Sequence, residues 1–416
     1  MNAIAVLGGG LAGSLTALAL AQKGFVVTLY EQDAVLMNAA SLHNEGKLHL
    51  GYVYAADPHQ KTYKKMIQGC VHFFSVIEQL TGINHNMLTQ SSPFYYAILP
   101  DSQLSVDAIQ THFSLVDDAL SALPFNVQPS FACRPDEIKK GFNLGAVQAV
   151  FQTHEFSIDP LHLASVVYAA VMENPNILVN SASTLLRAEH VGGHFTLESH
   201  SLKGKTKDVY THVINCLWQN RMAFDRQVGL IESRGFILRY KATIRFYLPK
   251  AKAESLGKIV SATYVTGPFG DVVNYQNGYL YLSWYPFSKL HESTSDDLSV
   301  FEDKLATLNT KAFVLQSIQV LSKYQPALSV LVNYVHQASV SGGYIFAWGQ
   351  SDIDDPVSEL HQRHDIGVHR LGNWLSVDTG KFTTAPFIAM QAAQRMEAII
   401  KDSVDQSRSK KDEACE

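Results

Sequence analysis

Cysteine is scarce in this chain: four among 416 residues, at positions 70, 133, 216 and 415, with no C-x-x-C pair and no histidine at ligand spacing. A disulfide framework and a zinc or other metal site are thereby disfavoured, and a reducing cytoplasm is the expected setting. Neither sign of charge dominates. The 33 Lys and Arg against 38 Asp and Glu leave a formal charge of −5, and the cations are scattered, so no basic face for nucleic acid or an anionic membrane is expected. No apolar run reaches the ~18 residues that a membrane-spanning helix requires. Apolar mass, by contrast, is ample at 46% of residues, and a chain of this length suits two globular domains better than one core.

One segment stands out, Ala3-Ile-Ala-Val-Leu-Gly-Gly-Gly-Leu-Ala-Gly-Ser14. Here an apolar strand runs into Gly8, Gly10 and Gly13 at G-x-G-x-x-G spacing. A helix is expected from Leu11 to Lys23, then a strand from Phe25 to Tyr30, and Glu31 closes the unit 23 residues after Gly8. The spacing has a physical reading. Gly8 allows the tight turn, Gly10 lets a pyrophosphate approach the backbone, and Gly13 lets the helix press on the strand, so that the N–H groups of the first helical residues, Leu11 and Ala12, face the phosphates. Glu31 can accept hydrogen bonds from a ribose diol, and an acid there argues against a 2′-phosphate. A secretory signal is rejected, because residues 1–21 carry no positive n-region and three successive glycines interrupt the apolar helix.

Further on, Tyr63, Met66, Ile67, Cys70, Phe73, Phe74, Ile77 and Leu80 predict a packing helix over His59 to Leu80, ended by Gly82. Other helices are expected over 107–123, over 160–171 behind the cap Asp159-Pro160, around 301–321, and over 385–400. Thr211 to Trp218 reads as a buried parallel strand returning to the nucleotide sheet, with Cys216 a small core residue in it. Alternation over 236–248 and 275–285 reads as a largely antiparallel sheet. The expected fold is therefore α/β: a Rossmann-type domain from residues 1–90, 150–225 and 340–400, and a second, mostly antiparallel β-sheet substrate domain (α+β) from 91–149 and 226–339. The charged stretch 401–416 is expected to be a disordered tail.

The block from Ser41 to Tyr54, Ser-Leu-His-Asn-Glu-Gly-Lys-Leu-His-Leu-Gly-Tyr-Val-Tyr, packs two histidines, an amide, both charges and two glycines into a short loop, the composition of a ligand-touching segment. Together with the glycine fingerprint, the Asp159-Pro160 helix start and Thr379-Gly380-Lys381-Phe-Thr-Thr near the end, it resembles the FAD-dependent oxidoreductases of the D-amino-acid oxidase superfamily, which includes glycine and sarcosine oxidases. The likeness covers nearly the whole chain. Locally, His43 to Tyr54 is similar to the H-N-S-G-x-I-H-x-G-x-Y-Y segment of L-2-hydroxyglutarate dehydrogenases, with Glu45 in place of their Ser.

That resemblance implies FAD with its pyrophosphate on Gly8 to Gly13, its ribose on Glu31, and Ser41, Asn44 and Gly46 along the ribityl chain and flavin edge. Asn215 to Trp218, including Cys216, would close over it, and Gly380, Lys381, Phe382 and Thr383 would lie at the flavin. The N–H groups at that helix start and the Lys381 ammonium would stabilise negative charge as flavin is reduced. His49 is the first choice of proton acceptor, since an imidazole titrates near working pH. His43 aligns instead with the flavin-linked histidine of the W-H-A-A-G segment in sarcosine-type dehydrogenases. The substrate wall is expected from Gly267 to Asp271 and from Tyr281, Trp284 and Tyr285, with Tyr285 set among the catalytic residues. Arg239, Arg245 and Arg363 compete for a substrate carboxylate. The G-x-R-P segment that the amino-acid oxidases carry before the last strand is missing, and the chain reads Gly343-Tyr-Ile-Phe-Ala-Trp-Gly-Gln-Ser-Asp-Ile-Asp-Asp-Pro356.

The implied activity is removal of hydride from a carbon bearing a hydroxyl or amine in a small substrate, with oxygen or an electron carrier as the acceptor. A flavin monooxygenase would carry a G-D-A-A-H-like segment where this chain has Val377-Asp-Thr-Gly-Lys381, and a pyridine-nucleotide disulfide reductase would need a cysteine pair and a second fingerprint. The flavin monooxygenase and a noncatalytic FAD-binding or assembly protein are the two alternatives.

Overall fold

A computed structural model describes residues 3–123, 131–132, 141–249, 256–276, 278–301 and 303–413. The first strand, Ile4–Leu7, is buried on both faces and sits inside a six-stranded sheet. In spatial order the strands are Gly367–Leu371, Trp374–Asp378, Val213–Asn215, Ile4–Leu7, Val27–Tyr30 and Ile177–Asn180. All pairs are parallel except the edge hairpin between Gly367–Leu371 and Trp374–Asp378. Helix Leu11–Gln22 is apolar nearly all round because it is covered nearly all round, by the helices Pro160–Met172 and Ala385–Glu413 as well as by the sheet. The return strand is thus where the sequence places it: Val213 pairs with Ala5 and Asn215 with Leu7.

The second sheet has nine strands, built around the long strand Phe236–Tyr247. One of its edges pairs along its length with Ala338–Trp348, and the other is shared by Lys289–Ser293 and Tyr279–Trp284. The sheet is antiparallel except where Tyr95–Ile98 runs parallel to Ala262–Val265. Both Ala149–Gln152 and Ala338–Trp348 belong here, so the chain crosses between sheets just after these strands rather than at the expected boundaries of 150 and 340. A three-stranded antiparallel sheet, Thr184–Val191, His194–Ser201 and Gly204–Tyr210, covers the first sheet, where the Tyr30 hydroxyl meets those of Tyr210 and the Asp208 carboxylate.

Helix ends follow their capping chemistry. Asp159 accepts from the Leu161 N–H with Pro160 at the first turn, and Gly82 closes Thr62–Thr81 at φ 72°. The helix expected over 301–321 begins only at Thr310, where the Asn309 side chain caps the Ala312 N–H, and Phe301 ends a short 3-10 turn. Residues 401–413, expected to be disordered, continue the last helix, Ala385–Glu413. Its buried first turns have already met the cost of nucleation, so polar residues extend it, helped by a Lys401–Glu397 pair one turn apart. Of the cysteines, Cys70 and Cys216 are free thiols, whereas Cys133 and Cys415 lie outside the described residues. Among the described residues no helix is long and apolar enough to cross a membrane.

Candidate functional site

At the glycine turn the three glycines differ in what surrounds them. Gly8 has φ 94°, and a Cβ there would lie 2.8 Å from the Cys216 carbonyl oxygen. A Cβ on Gly13 would come within 1.9 Å of the Gly8 carbonyl oxygen, which is the close helix-to-strand contact. Gly10 is the open one: only the Ser41 hydroxyl, 3.0 Å from its notional Cβ, stands near. The Leu11 N–H donates to that hydroxyl at 2.8 Å, and the Glu31 carboxylate accepts from the N–H groups of Gly9 and Asp33 at 2.8 and 2.9 Å. From here a cavity of about 360 Å³ runs past Glu31, Ser41, His43, Asn44 and Cys216 to Lys381 and Phe382, and ends under the second sheet at Arg239, Lys241, Tyr281 and Tyr285. An open backbone cradle at a helix start, an acid at the next strand end and a long cavity beyond them fit an extended dinucleotide.

Of the predicted cofactor residues, Gly8, Gly10, Leu11, Ala12, Glu31, Ser41, His43, Asn44, Cys216, Gly380, Lys381 and Phe382 line this cavity. Gly13, Gly46 and Thr383 do not; they shape its wall. A Cβ on Gly46 would lie 1.9 Å from the Ile158 carbonyl oxygen. The Thr383 hydroxyl accepts from the His49 N–H at 2.8 Å and donates to the Lys47 carbonyl at 3.0 Å. Asn44 turns its amide inward, donating to the carbonyls of Ala40 and Ser41 and accepting from the Gly46 N–H, which folds the loop.

Under this loop lies an ion pair that sequence reasoning missed. Lys47 and Glu155 are fully buried with Nζ and Oε2 3.0 Å apart. Lys47 also donates to Tyr96 and Thr263, and Glu155 accepts from Tyr96 and from the N–H groups of Leu50 and Gly51. The pair therefore anchors both sides of His49. Glu155→Gln should lower the urea-unfolding free energy of the apoprotein by about 3–5 kcal/mol, because it strands a buried ammonium. A Lys47→Met/Glu155→Leu double variant should recover most of that loss, and equal losses in the two would refute the ion-pair account.

His49 is buried, and neither ring nitrogen has a hydrogen-bond partner among the described residues. Its Nε2 stands 3.8 Å from Glu45 Oε1, beyond hydrogen-bond reach. Burial pushes its pKa below the ordinary 6.5, outweighing the attraction of Glu45, so the ring is neutral at working pH. Burial alone would raise Glu45, but His49, Lys241 and Lys381 hold its carboxyl well below the usual carboxylate range. Lys381 is brought down to about 8 by burial and by the charges of Arg363, Lys241 and Arg239, against the pull of Glu45. His43, half-buried, is lowered to about 4 by burial and by Arg245.

The arginines separate cleanly. Arg245 donates to the Leu42 carbonyl from behind the loop and does not line the cavity. Arg239 pairs with Asp352 at 3.0 Å and donates to the Tyr285 hydroxyl at 2.6 Å. Arg363 lines the cavity, donates to the carbonyls of Phe346 and Leu360, and has no carboxylate partner among the described residues. Of the expected aromatic wall, Tyr281 and Tyr285 face the cavity, with the Tyr285 hydroxyl engaged by Arg239 and Asp352. Trp284 instead packs in the core against Tyr264, Phe269 and Tyr324. Lys241 was also missed. The available signal was its place two residues from Arg239 on the same strand, which puts both cations on one face.

A dinucleotide cradle continuous with a chamber under a second sheet is the architecture of an oxidoreductase that holds its cofactor between two sheets. Residues 3–304 match the DAO family of FAD dependent oxidoreductases, and the chain belongs to that family. FAD is its cofactor. In structure the chain is similar to the dithionite-reduced L-α-glycerophosphate oxidase of Mycoplasma pneumoniae with FAD bound, at TM-score 0.66 and 15% identity over 95% of this chain and 94% of that one. It is also similar to glycine oxidase from Geobacillus kaustophilus (TM-score 0.64, 12% identity, 95% of each chain) and to L-proline dehydrogenase from P. horikoshii (0.64, 14%, 94% and 92%). At such identities the likeness is one of fold. No curated protein sequence matches the chain.

Proposed function

We propose that this oxidoreductase removes hydride from a carbon bearing a hydroxyl or an amine in a small, carboxylate-containing substrate. The observation that carries the reading is the presence in one cavity of a buried imidazole with no hydrogen-bond partner and a buried guanidinium with no carboxylate partner among the described residues, His49 and Arg363. FAD, held by the Gly8 to Gly13 turn, Glu31, Ser41 and the 379–382 segment, supplies the two-electron acceptor. Arg363 takes the substrate carboxylate, the task its planar fork suits. His49, neutral, accepts the proton released from the hydroxyl or ammonium, and the imidazolium so formed is steadied by Glu45. Lys381 and the N–H groups ahead of helix Ala385–Glu413 offset negative charge at that end of the cavity. Oxygen or an electron carrier then takes the electrons, and a cytoplasmic setting, with which the sparse cysteines accord, is part of the proposal.

The test is an anaerobic screen of the purified yellow protein against hydroxy acids, N-methyl amines and D-amino acids, with bleaching of the flavin by a carboxylate-bearing compound as the expected result. No bleaching by any of them would favour a noncatalytic FAD protein. Once a substrate is found, the reduction rate should rise with pH along a limb centred below 6.5, as His49 loses its proton, and fall again near 8, as Lys381 loses its charge. Lys381→Met should remove the upper limb and lower the flavin midpoint potential; stopped-flow profiles that coincide for the two proteins would demote Lys381.

A further inference from the structure

We propose that Asp352 sets the charge of the ligand this site accepts: by neutralising Arg239 it leaves Arg363 as the guanidinium available to an anion, so the site takes a substrate with one anionic group and rejects a second. The inference rests on the reading that Arg363 holds the substrate carboxylate.

Arg239 and Tyr285 both line the cavity, and an arginine beside a tyrosine hydroxyl is a ready carboxylate receptor. Asp352 is in that receptor already. It reaches in from behind, on the connection between Trp348 and Gly367, and is not itself exposed to the cavity. One carboxylate oxygen accepts from Arg239 Nη1 at 3.0 Å, and the Tyr285 hydroxyl lies 3.1 Å from both oxygens. Lys289 Nζ completes the cluster, 2.6 Å from Asp352 and 2.8 Å from Glu292. Two cations thus meet two carboxylates and the charge closes to zero. Although burial acts to raise it, Arg239 and Lys289 hold the Asp352 carboxyl down to about 2, so the neutralisation persists across the working range.

The connection is fixed, which keeps Asp352 from swinging away. The Gln103 amide donates to the carbonyls of Ile353 and Asp354, and the Ser358 hydroxyl donates to the Ser351 carbonyl. Of the other cations facing the cavity, Lys47 is paired with Glu155 at 3.0 Å, Lys241 lies in the field of Glu45 and Asp271, and Lys381 shares that of Glu45. A second ligand carboxylate would therefore lose its water with no second unpaired guanidinium to receive it, and would approach Asp352 with like charge.

The experiment titrates the FAD-loaded protein with acetate and with malonate, following the perturbation of flavin absorbance. Wild type should bind acetate about tenfold more tightly than malonate, and Asp352→Asn should reverse that order by freeing Arg239. The charge-neutral Arg239→Gln/Asp352→Asn variant should restore the wild-type order, and it carries the test with wild type should the single variant fail to fold. Malonate binding wild type as tightly as acetate, or a ratio unchanged in Asp352→Asn, overturns the proposal. Arg363→Gln distinguishes the two levels. If acetate binds that variant as it binds wild type, or binds wild type not at all, the underlying reading fails; if acetate is lost there while the ratio is unmoved in Asp352→Asn, only the role of Asp352 fails.

Discussion

Gly10→Val protein is expected to purify folded and colourless. Gly10 has an ordinary φ of −71°, and its notional Cβ meets only the Ser41 hydroxyl, so a side chain there strains no backbone and clashes with no core atom. What valine fills is the space into which a pyrophosphate must come, and it also pushes on the Ser41 hydroxyl that holds the Leu11 N–H. Gly13→Ala is the contrasting variant. Its methyl group would lie 1.9 Å from a backbone oxygen, so the helix must lift off the first strand and the protein should lose stability along with flavin. Comparing far-ultraviolet circular dichroism with flavin absorbance separates the two outcomes. A yellow Gly10→Val protein would refute the placement of the phosphates.

His49→Ala should slow anaerobic flavin reduction by about a hundredfold or more, the usual contribution of a positioned proton acceptor. It should also abolish the acid limb of the pH profile, because the group that titrates along it is gone. His43→Ala should keep that limb: His43 is lowered to about 4 and stands nearer the Arg245 side of the loop. If His43 is instead joined to the flavin, acid-precipitated wild-type protein will stay yellow and His43→Ala will release its flavin. Full reduction rates in His49→Ala would return the block to a structural role.

The glycine turn was legible in sequence because its constraints are local: a positive φ at Gly8, a contact between Gly13 and Gly8, and an acid one strand further on all lie within a short span. The place of His49 in the cavity wall and the strand at Val213–Asn215 were likewise readable from residue type and apolar pattern. What sequence did not reveal is who neutralises whom. Arg239, Arg245 and Arg363 look equivalent in one dimension, yet they face a carboxylate, a carbonyl behind the loop, and the open cavity, respectively. Lys47 reads as a loop lysine until Glu155, more than a hundred residues later, meets it in the interior. The last helix was cut short in the reading because composition reports solubility, whereas helix length is also set by propagation from a buried start.

The Thr383 hydroxyl has a temporal meaning as well. It joins His49 and Lys47 across 334 and 336 residues, and its helix follows Trp374–Asp378, the strand that flanks Val213–Asn215 in the sheet. A ribosome that has released the glycine turn has therefore made neither the strand that backs the cradle, Val213–Asn215, nor the floor beneath the histidine. Contacts of such sequence separation are slow to close. The loop around His49 stays unanchored on its Thr383 side until that residue has emerged, and the nucleotide sheet waits for Trp374–Asp378 just ahead of it, so cradle and chamber are completed together.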